Sequence, residues 1–570
     1  MVADLIIFNG KIITVDENFS IAQAVAVKDG KIIAVGTNDD IASLIGKETQ
    51  GLDIKGKTML PGINDSHAHA CLFGGTRPPL GLDLGYPTVK SISDIADMVG
   101  KKTKEVQAGE WIRGFGWDEG YLDECIKDPN RHPNRWDLDS VSPNNPVCLG
   151  NMSGHIVWAN SKALEIAGIT AETAPPPGGQ IAKDLNTGEP TGILQELSAM
   201  NLVMSHIPLW RKDQIRQGIV ATMKELNSMG ITSITEPGLG PGGSAYMGGL
   251  MGSECISVYN DLYNESQLTV RVNLLLLMGE YGKCTLKDLQ QGLSYLGIHT
   301  GFGNEWLRIA GVKIFADGVP LPDTLTAWMY EDYPGHPGVQ GSLVIPGETD
   351  EERVNELINM IVYAHKIGFQ VGIHADGGRA IDACIDGIVK AMKEEPGKDL
   401  RHYIIHCEFP TEEAAKRMAQ HGILANMQPA IKWIASEFVE MAVGAKASAG
   451  EWPMRMLVDA GARVAASSDT PVVYPDWRRG VQYAVLRESK ATGKVAGPEQ
   501  CISVEEAIRS YTIEGAWQDR MEDIKGSIEV GKLADFCILG EDILTVDAHK
   551  IMDIPILKTI VGGKIVYSAE

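Results

Sequence analysis

The apolar positions change rhythm along the chain. Residues 4–36 (DLIIFNGKIITVDENFSIAQAVAVKDGKIIAVG) are short β-branched runs broken by Asn-Gly and Asp-Gly, dipeptides suited to the positive φ angles of tight hairpins. Residues 526–567 carry the same texture, with Gly562-Gly563 before a last apolar run. Two strand-rich ends of one style, flanking a different middle, predict one small β domain drawn from both termini, residues 1–58 and 525–570.

The middle alternates buried-type apolar runs with segments of helical period, the mark of a parallel α/β architecture. Strands are predicted at 59–65, 231–235, 270–277, 308–315, 369–374, 402–406, 422–427 and 463–468, with helices at 211–229, 351–367, 379–394 and 411–420. Eight such strands are the count of a TIM (β/α)8 barrel, assigned to residues 59–76 and 206–524. Between the first and second strands lie 165 residues (66–230), too many for a loop. An inserted domain is therefore expected at 77–205, with a helix at 160–167 and a turn-rich stretch at 173–192. If it covers the barrel rim, it caps the substrate.

Composition narrows the partners. The chain has 570 residues, 44% hydrophobic and 22% charged, and its net charge is −23. That balance repels phosphate backbones, and no basic patch offsets it, so no nucleic-acid partner is expected. Nine cysteines are scattered without a CxxC pair, which argues against a disulfide framework or thiolate metal site and fits a reducing compartment. The N-terminus has no basic n-region, and no apolar run reaches the ~20 residues that span a bilayer. The expectation is a cytoplasmic protein with a small-molecule substrate and no membrane contact. A homodimer is compatible with the sequence.

A barrel places its chemistry at the C-terminal ends of its strands. Thirteen histidines occur in the chain, and four sit there: His67 and His69 after the first strand, His374 after the fifth, His406 after the sixth. Asp469 follows the eighth. In an extended segment residues i and i+2 point the same way, so His67 and His69 can face one ion. Strict alternation in the fourth strand puts Ile309, Gly311, Lys313, Phe315 and Asp317 on one face. A buried lysine is costly unless paired or altered, and an ammonium has no lone pair for a metal. As a CO2-derived carbamate, Lys313 becomes a carboxylate able to bridge two cations. Imidazole and carboxylate without thiolate suit zinc, with manganese, iron or nickel as alternatives, in one or two ions. Trp117, Trp328, Tyr330 and Trp433 are candidate pocket walls.

The order HxH, Lys, His, His, Asp with a split β domain resembles the amidohydrolase superfamily. The long insertion resembles its family 3 branch, that of the N-substituted formamide deformylases and exoenzyme regulatory proteins. The motifs NGKIITVD, PGINDSHAH, SGHIVWANSKALEIAGI (153–169), GVKIFADG (311–318) and GSIEVGKLADFCIL (526–539) carry the likeness along essentially the whole chain. The resemblance implies a metal-dependent TIM barrel with a β-sandwich-like domain from both termini. It implies that His67 and His69 hold one ion, that His374 and His406 hold a second, and that carbamylated Lys313 bridges them. Asp469 would ligate the first ion and take the proton of the attacking water, and His155 would reach in from the insertion to contact substrate.

Two departures from the family pattern fall in pocket loops. Relatives commonly read HAxGDRA after the fifth strand, where this chain has His374-Ala375-Asp376-Gly377-Gly378-Arg379-Ala380; its acid stands two places nearer His374. After the seventh strand Gln428-Pro429-Ala430-Ile431 replaces the usual QPxH. Asp376 and Arg379 join Trp117, Trp328 and His155 as candidate substrate contacts. The function expected is hydrolysis of the C–N bond of a small amide or N-acyl or N-formyl amine. The alternatives are ring opening of a cyclic ketone, such as a 1,3-dione, or of a lactone, and a non-catalytic regulatory protein.

Overall fold

The computed structural model describes every residue except Met1, Pro87, Pro129, Pro177, Gly178, Ala245, Asp323 and Glu570. Eight parallel strands form its central sheet: Ile63–Asp65 (β1), Ile231–Leu239 (β2), Arg271–Leu276 (β3), Leu307–Phe315 (β4), Gln370–Ala375 (β5), Tyr403–His406 (β6), Leu424–Met427 (β7) and Val464–Ala466 (β8). Each pairs with the next in sequence order, from β1 to β8. Helices such as Lys212–Ser228, Asp350–Lys366 and Gly378–Glu394 fill the crossovers. All residues of β2, β3 and β5 to β8 are buried, as expected for parallel strands covered on both faces.

β1 and β8 meet without a regular ladder. Ser66 Oγ donates to the Ala466 carbonyl (2.9 Å), Asp469 N to the His67 carbonyl (2.9 Å), and His69 N to the Thr470 carbonyl (2.8 Å). Ser468 N and Oγ both donate to the buried Asp65 carboxylate (3.0 and 2.6 Å). The architecture is the TIM barrel expected from the strand count.

The run 59–65, expected as one strand, is two. Thr58–Pro61 pairs antiparallel with Phe536–Leu539 and parallel with Lys11–Ile13, and only Ile63–Asp65 enters the barrel. Pro61 has no N–H for a continuing ladder, and Gly62 N turns to the Asp535 carbonyl.

The terminal segments form two sheets. One has the order Lys31–Gly36, Ala24–Lys28, Leu5–Phe8, Gln50–Asp53; the other runs from Lys564–Ser568 through Phe536–Leu539 and Thr58–Pro61 to Ile21–Ala22. Ile7, Val25 and Val27 of the first pack with Ile12, Met59, Phe536 and Ile560 of the second in one apolar core, a sandwich.

Between β1 and β2 the chain builds a further six-stranded sheet. Its order is Gln180–Lys183, Pro190–Gln195, Ile156–Ala159, Val147–Asn151, Ile112–Trp117, Leu82–Asp83. Strand alternation separates its faces: Val157 and Ala159 join one apolar cluster and Trp158 another. Asn160 caps the helix Ser161–Ala167. The later part of the turn-rich stretch joins the strands Gln180–Lys183 and Pro190–Gln195 as a hairpin, and Pro177 and Gly178 of that stretch lie outside the described residues.

Candidate active site

A cavity of about 900 Å³ lies where the C-terminal strand ends face the inserted sheet. His67, His69, Lys313, His374, His406 and Asp469 line its floor, and Trp117, His155, Leu185 and Leu197 of the insertion line the other side. The six barrel residues singled out by strand position are thus brought together. His67, His406 and Asp469 offer ligand atoms within 4.8 Å of one another, and so do His374, Asp376 and His406. Ligand atoms around tetrahedral zinc stand roughly 3.4 Å apart, so both sets are close enough together to be candidates for holding an ion.

The chemistry of the donors fits a cation. Nε2 of His67 and of His69 stand 3.2 and 3.4 Å from Asp469 Oδ1. Both ring nitrogens of His67 and Nδ1 of His69 are buried without a hydrogen-bond partner, a desolvation cost that coordination would remove. Burial pushes the Asp469 carboxyl up, but the adjoining His67 and His69 imidazoles outweigh it and hold the group well below the usual carboxylate range. Burial, reinforced by Lys313, lowers His67, and burial brings His406 down to about 4, so both rings are neutral and able to coordinate at neutral pH.

The supports are side chains from neighbouring strands. His406 Nδ1 lies 2.7 Å from Gln428 Oε1; with Nδ1–H donating, Nε2 is left for the cavity. Gln428 Nε2 in turn donates to Asn426 Oδ1 and Ser467 Oγ, both at 2.9 Å. His406 (φ 70°), Cys407 (φ 50°) and Asp469 (φ 56°) adopt the left-handed region, at a cost of ~1–3 kcal/mol each. The hydrogen bonds from Asp469 N to the His67 carbonyl and between His406 and Gln428 hold two of these residues in place. Lys313 Nζ sits 4.6 Å from the Phe315 ring centroid, and burial lowers its ionisation to about 7.

His155 projects from the insertion, and its Nδ1 lies 3.0 Å from Glu196 Oε2. The register that pairs Ile156 with Gln195 carries His155 opposite Glu196, whose N–H donates to the His155 carbonyl at 2.8 Å. Sequence reading missed Glu196, since only the register of this antiparallel pair makes them neighbours. It also missed Tyr246, Tyr281 and Glu408 on the cavity wall.

Asp376 lies on the wall, with Oδ2 3.7 Å from His374 Nε2. The loop carrying it is clamped by Asp317, whose carboxylate accepts from the N–H groups of Asp376, Gly377 and Trp328 at 2.8–3.0 Å. Burial raises Asp317 to about 7.

Trp117 lines the cavity as expected, its Nε1 donating to the Leu149 carbonyl. Trp328, Arg379, Tyr330 and Trp433 do not line it. Arg379 instead lays its guanidinium 4.1 Å from the Trp328 ring and donates to Gln340. The Tyr330 hydroxyl donates to Asp382, and Trp433 lines a separate small hollow with Arg479 and Lys490.

Comparison with known proteins agrees with this fold. The chain is 28% identical to an N-substituted formamide deformylase of Arthrobacter pascens, over 99% of this chain and 98% of that protein. It is 30% identical to the protein LONG AFTER FAR-RED 3 of Arabidopsis thaliana, over 100% of this chain and 92% of that one. In fold it is similar to an uncharacterized metal-dependent hydrolase from Pyrococcus horikoshii (TM-score 0.72, 24% identity, 96% of this chain and 99% of that one). Residues 50–567 match the model of the amidohydrolase family. The chain belongs to that family and is a hydrolase of the amidohydrolase superfamily.

Proposed function

We propose that the protein hydrolyses the C–N bond of a small amide or N-acyl or N-formyl amine. The observation that carries this reading is one ionised carboxylate, Asp469, set beside His67, His69 and His406 at the floor of a cavity roofed by the insertion. Similarity along nearly the whole chain to a formamide deformylase supports it.

His67, His69, Asp469 and His406 would hold a divalent cation, zinc suiting the donors best, and manganese, iron or nickel being alternatives. When bound, such an ion polarises a substrate carbonyl and makes water acidic near neutral pH. Asp469 accepts the proton of the attacking water and returns it to the leaving nitrogen. His155, oriented by Glu196, donates to or accepts from the substrate's polar atoms. Phe115, Trp117, Leu197 and Phe438 surround the substituent and exclude bulk water. A carbamate on Lys313 is one route to a second ion. The scattered unpaired cysteines, eight of them buried, support a cytoplasmic setting.

The test is turnover on matched panels of N-formyl amines, N-acyl amines, cyclic 1,3-diones and lactones. Amine release from the first two panels is the expected result. Turnover confined to diones or lactones would move the bond cleaved, and an inert metal-replete enzyme would favour a regulatory protein.

A further inference from the structure

One wall of the cavity is the face of a single helix. Pro429–Val443 leaves the floor directly after Gln428, the partner of His406, and lines the cavity with Ile431, Ile434, Phe438 and Met441. The last three stand at i, i+4 and i+7, one apolar stripe of an α-helix. Met441 is 70% exposed, so the stripe climbs from the floor to solvent. From position 431 to 441 the helix rises ~15 Å, at about 1.5 Å per residue.

The insertion supplies the facing wall with Phe115, Trp117, Ile193 and Leu197, and Leu185 and Trp136, both exposed, stand at the mouth. The Phe438 ring meets the insertion, since a Cβ on Gly120 would lie 2.5 Å from it. Between the floor and the mouth, where polar side chains such as His132 and Asp184 return, the passage is walled mainly by apolar groups. Its volume of about 900 Å³ is near the top of the ~300–1,000 Å³ that hold drug-sized ligands, far more than a reacting amide fills. A single aromatic ring is too short to run from the floor to Met441. At about 1.2 Å per bond, the advance of an extended chain, ~15 Å corresponds to about a dozen carbons.

We propose that the substrate carries an extended apolar chain of about a dozen carbons, on the acyl carbon or on the nitrogen, which lies along this helix and reaches the mouth at Met441 and Leu185. This rests on the amide hydrolysis proposed above and specifies its substrate. Water adds across the C–N bond, releasing a long-chain carboxylate and an amine, or formate and a long-chain amine. The methylenes cover side chains that otherwise face water.

The test is a chain-length series in two arms, N-acyl methylamines and N-alkyl formamides, on metal-replete protein below their critical micelle concentrations. In at least one arm kcat/KM is expected to rise ~2–4-fold per methylene, the worth of burying a CH2, and to level off near a dozen carbons. The arm that rises tells which side of the bond bears the chain. Met441→Asp and Leu185→Asp, both at exposed positions, should each lower the long-to-short ratio of kcat/KM by at least ~10-fold, the worth of about two methylenes.

A flat or falling series in both arms of an active amidase would overturn the chain and leave the reaction standing. A rising series whose ratio neither substitution changes would also overturn it. If no amide turns over, the proposed reaction falls, and calorimetric binding of the intact amides decides. A Kd that tightens with chain length to the same plateau keeps the passage as the chain's site, and a Kd indifferent to length removes it.

Discussion

Glu236 offers a stability test beside the active site. It lies on β2, fully buried, and its Oε2 accepts from Tyr259 Oη (2.8 Å) and from Cys71 N (3.1 Å), two residues past His69. Its Oε1 has no partner. Burial raises its ionisation from 4.5 to about 8. Between those values the unfolded chain releases the proton while the folded chain keeps it, so stability falls as pH rises through that window. At 1.36 kcal/mol per pH unit, the loss reaches about 5 kcal/mol above pH 8.

Glu236→Gln removes the titration. Its amide oxygen can take the two donors and its NH2 replaces the unpartnered Oε1, adding a constant penalty of ~1–3 kcal/mol at every pH. The prediction therefore concerns the change with pH. At an unfolding entropy of about 2.1 cal/mol/K per residue, this chain has roughly 1.2 kcal/mol/K, so 5 kcal/mol is about 4 °C. Thermal unfolding of chelator-treated protein should show the variant's Tm, relative to wild type, rising by about 4 °C between pH 4.5 and 8.5. A difference flat to within ~1 °C would refute the burial argument.

Other expectations bear directly on the reaction. Asp469→Asn should lose at least ~10²–10⁴ in kcat while still binding substrate, measured by steady-state kinetics beside metal analysis; near-normal kcat with its metal in place would assign the base elsewhere. Chelation should abolish activity and added divalent metal should restore it, and full turnover in a verified metal-free sample would contradict the hydrolase reading. His155→Ala should leave metal content unchanged and impair turnover, with Glu196→Gln a milder copy of it; loss of metal in His155→Ala would put that histidine among the ligands.

The floor of the site was legible because strand geometry alone decides it. Alternation turns His67 with His69 and Lys313 with Phe315, and the barrel topology puts His374, His406 and Asp469 on the same rim. What supports the floor was not legible. Glu196 is 41 residues from His155 and meets it only through the register of two antiparallel strands that are not neighbours in sequence; Asp317 clamps the Asp376 loop through backbone N–H groups that no side-chain pattern marks. Arg379 follows Asp376 closely, yet it begins a helix and its long side chain finds the Trp328 ring, a choice made by packing. The strand at 59–65 reads as one apolar run, and the break at Pro61-Gly62 follows from which sheet each half joins.

The barrel seam ties the chemistry to the fold. Where β1 meets β8 the ladder gives way to side chains, with Asp65 holding Ser468, Ser66 reaching Ala466, and Asn426 and Gln518 both donating to the Ser66 carbonyl (3.2 and 2.9 Å). His67 and His69 stand on one side of this seam and Asp469 on the other. A cation shared among them would be a further stitch, one that could exist only in the closed barrel. Ligand linkage gives its worth as RT ln(1 + [L]/Kd), about 4 kcal/mol at a thousandfold excess over Kd, or roughly 3 °C for a chain of this length. Zinc should therefore raise the Tm of stripped wild-type protein in a concentration-dependent way. Asp469→Asn, cut off from one side of the seam, should lose most of that rise, whereas His155→Ala should keep it. Equal zinc stabilisation of all three would mean that the ion does not bridge the seam.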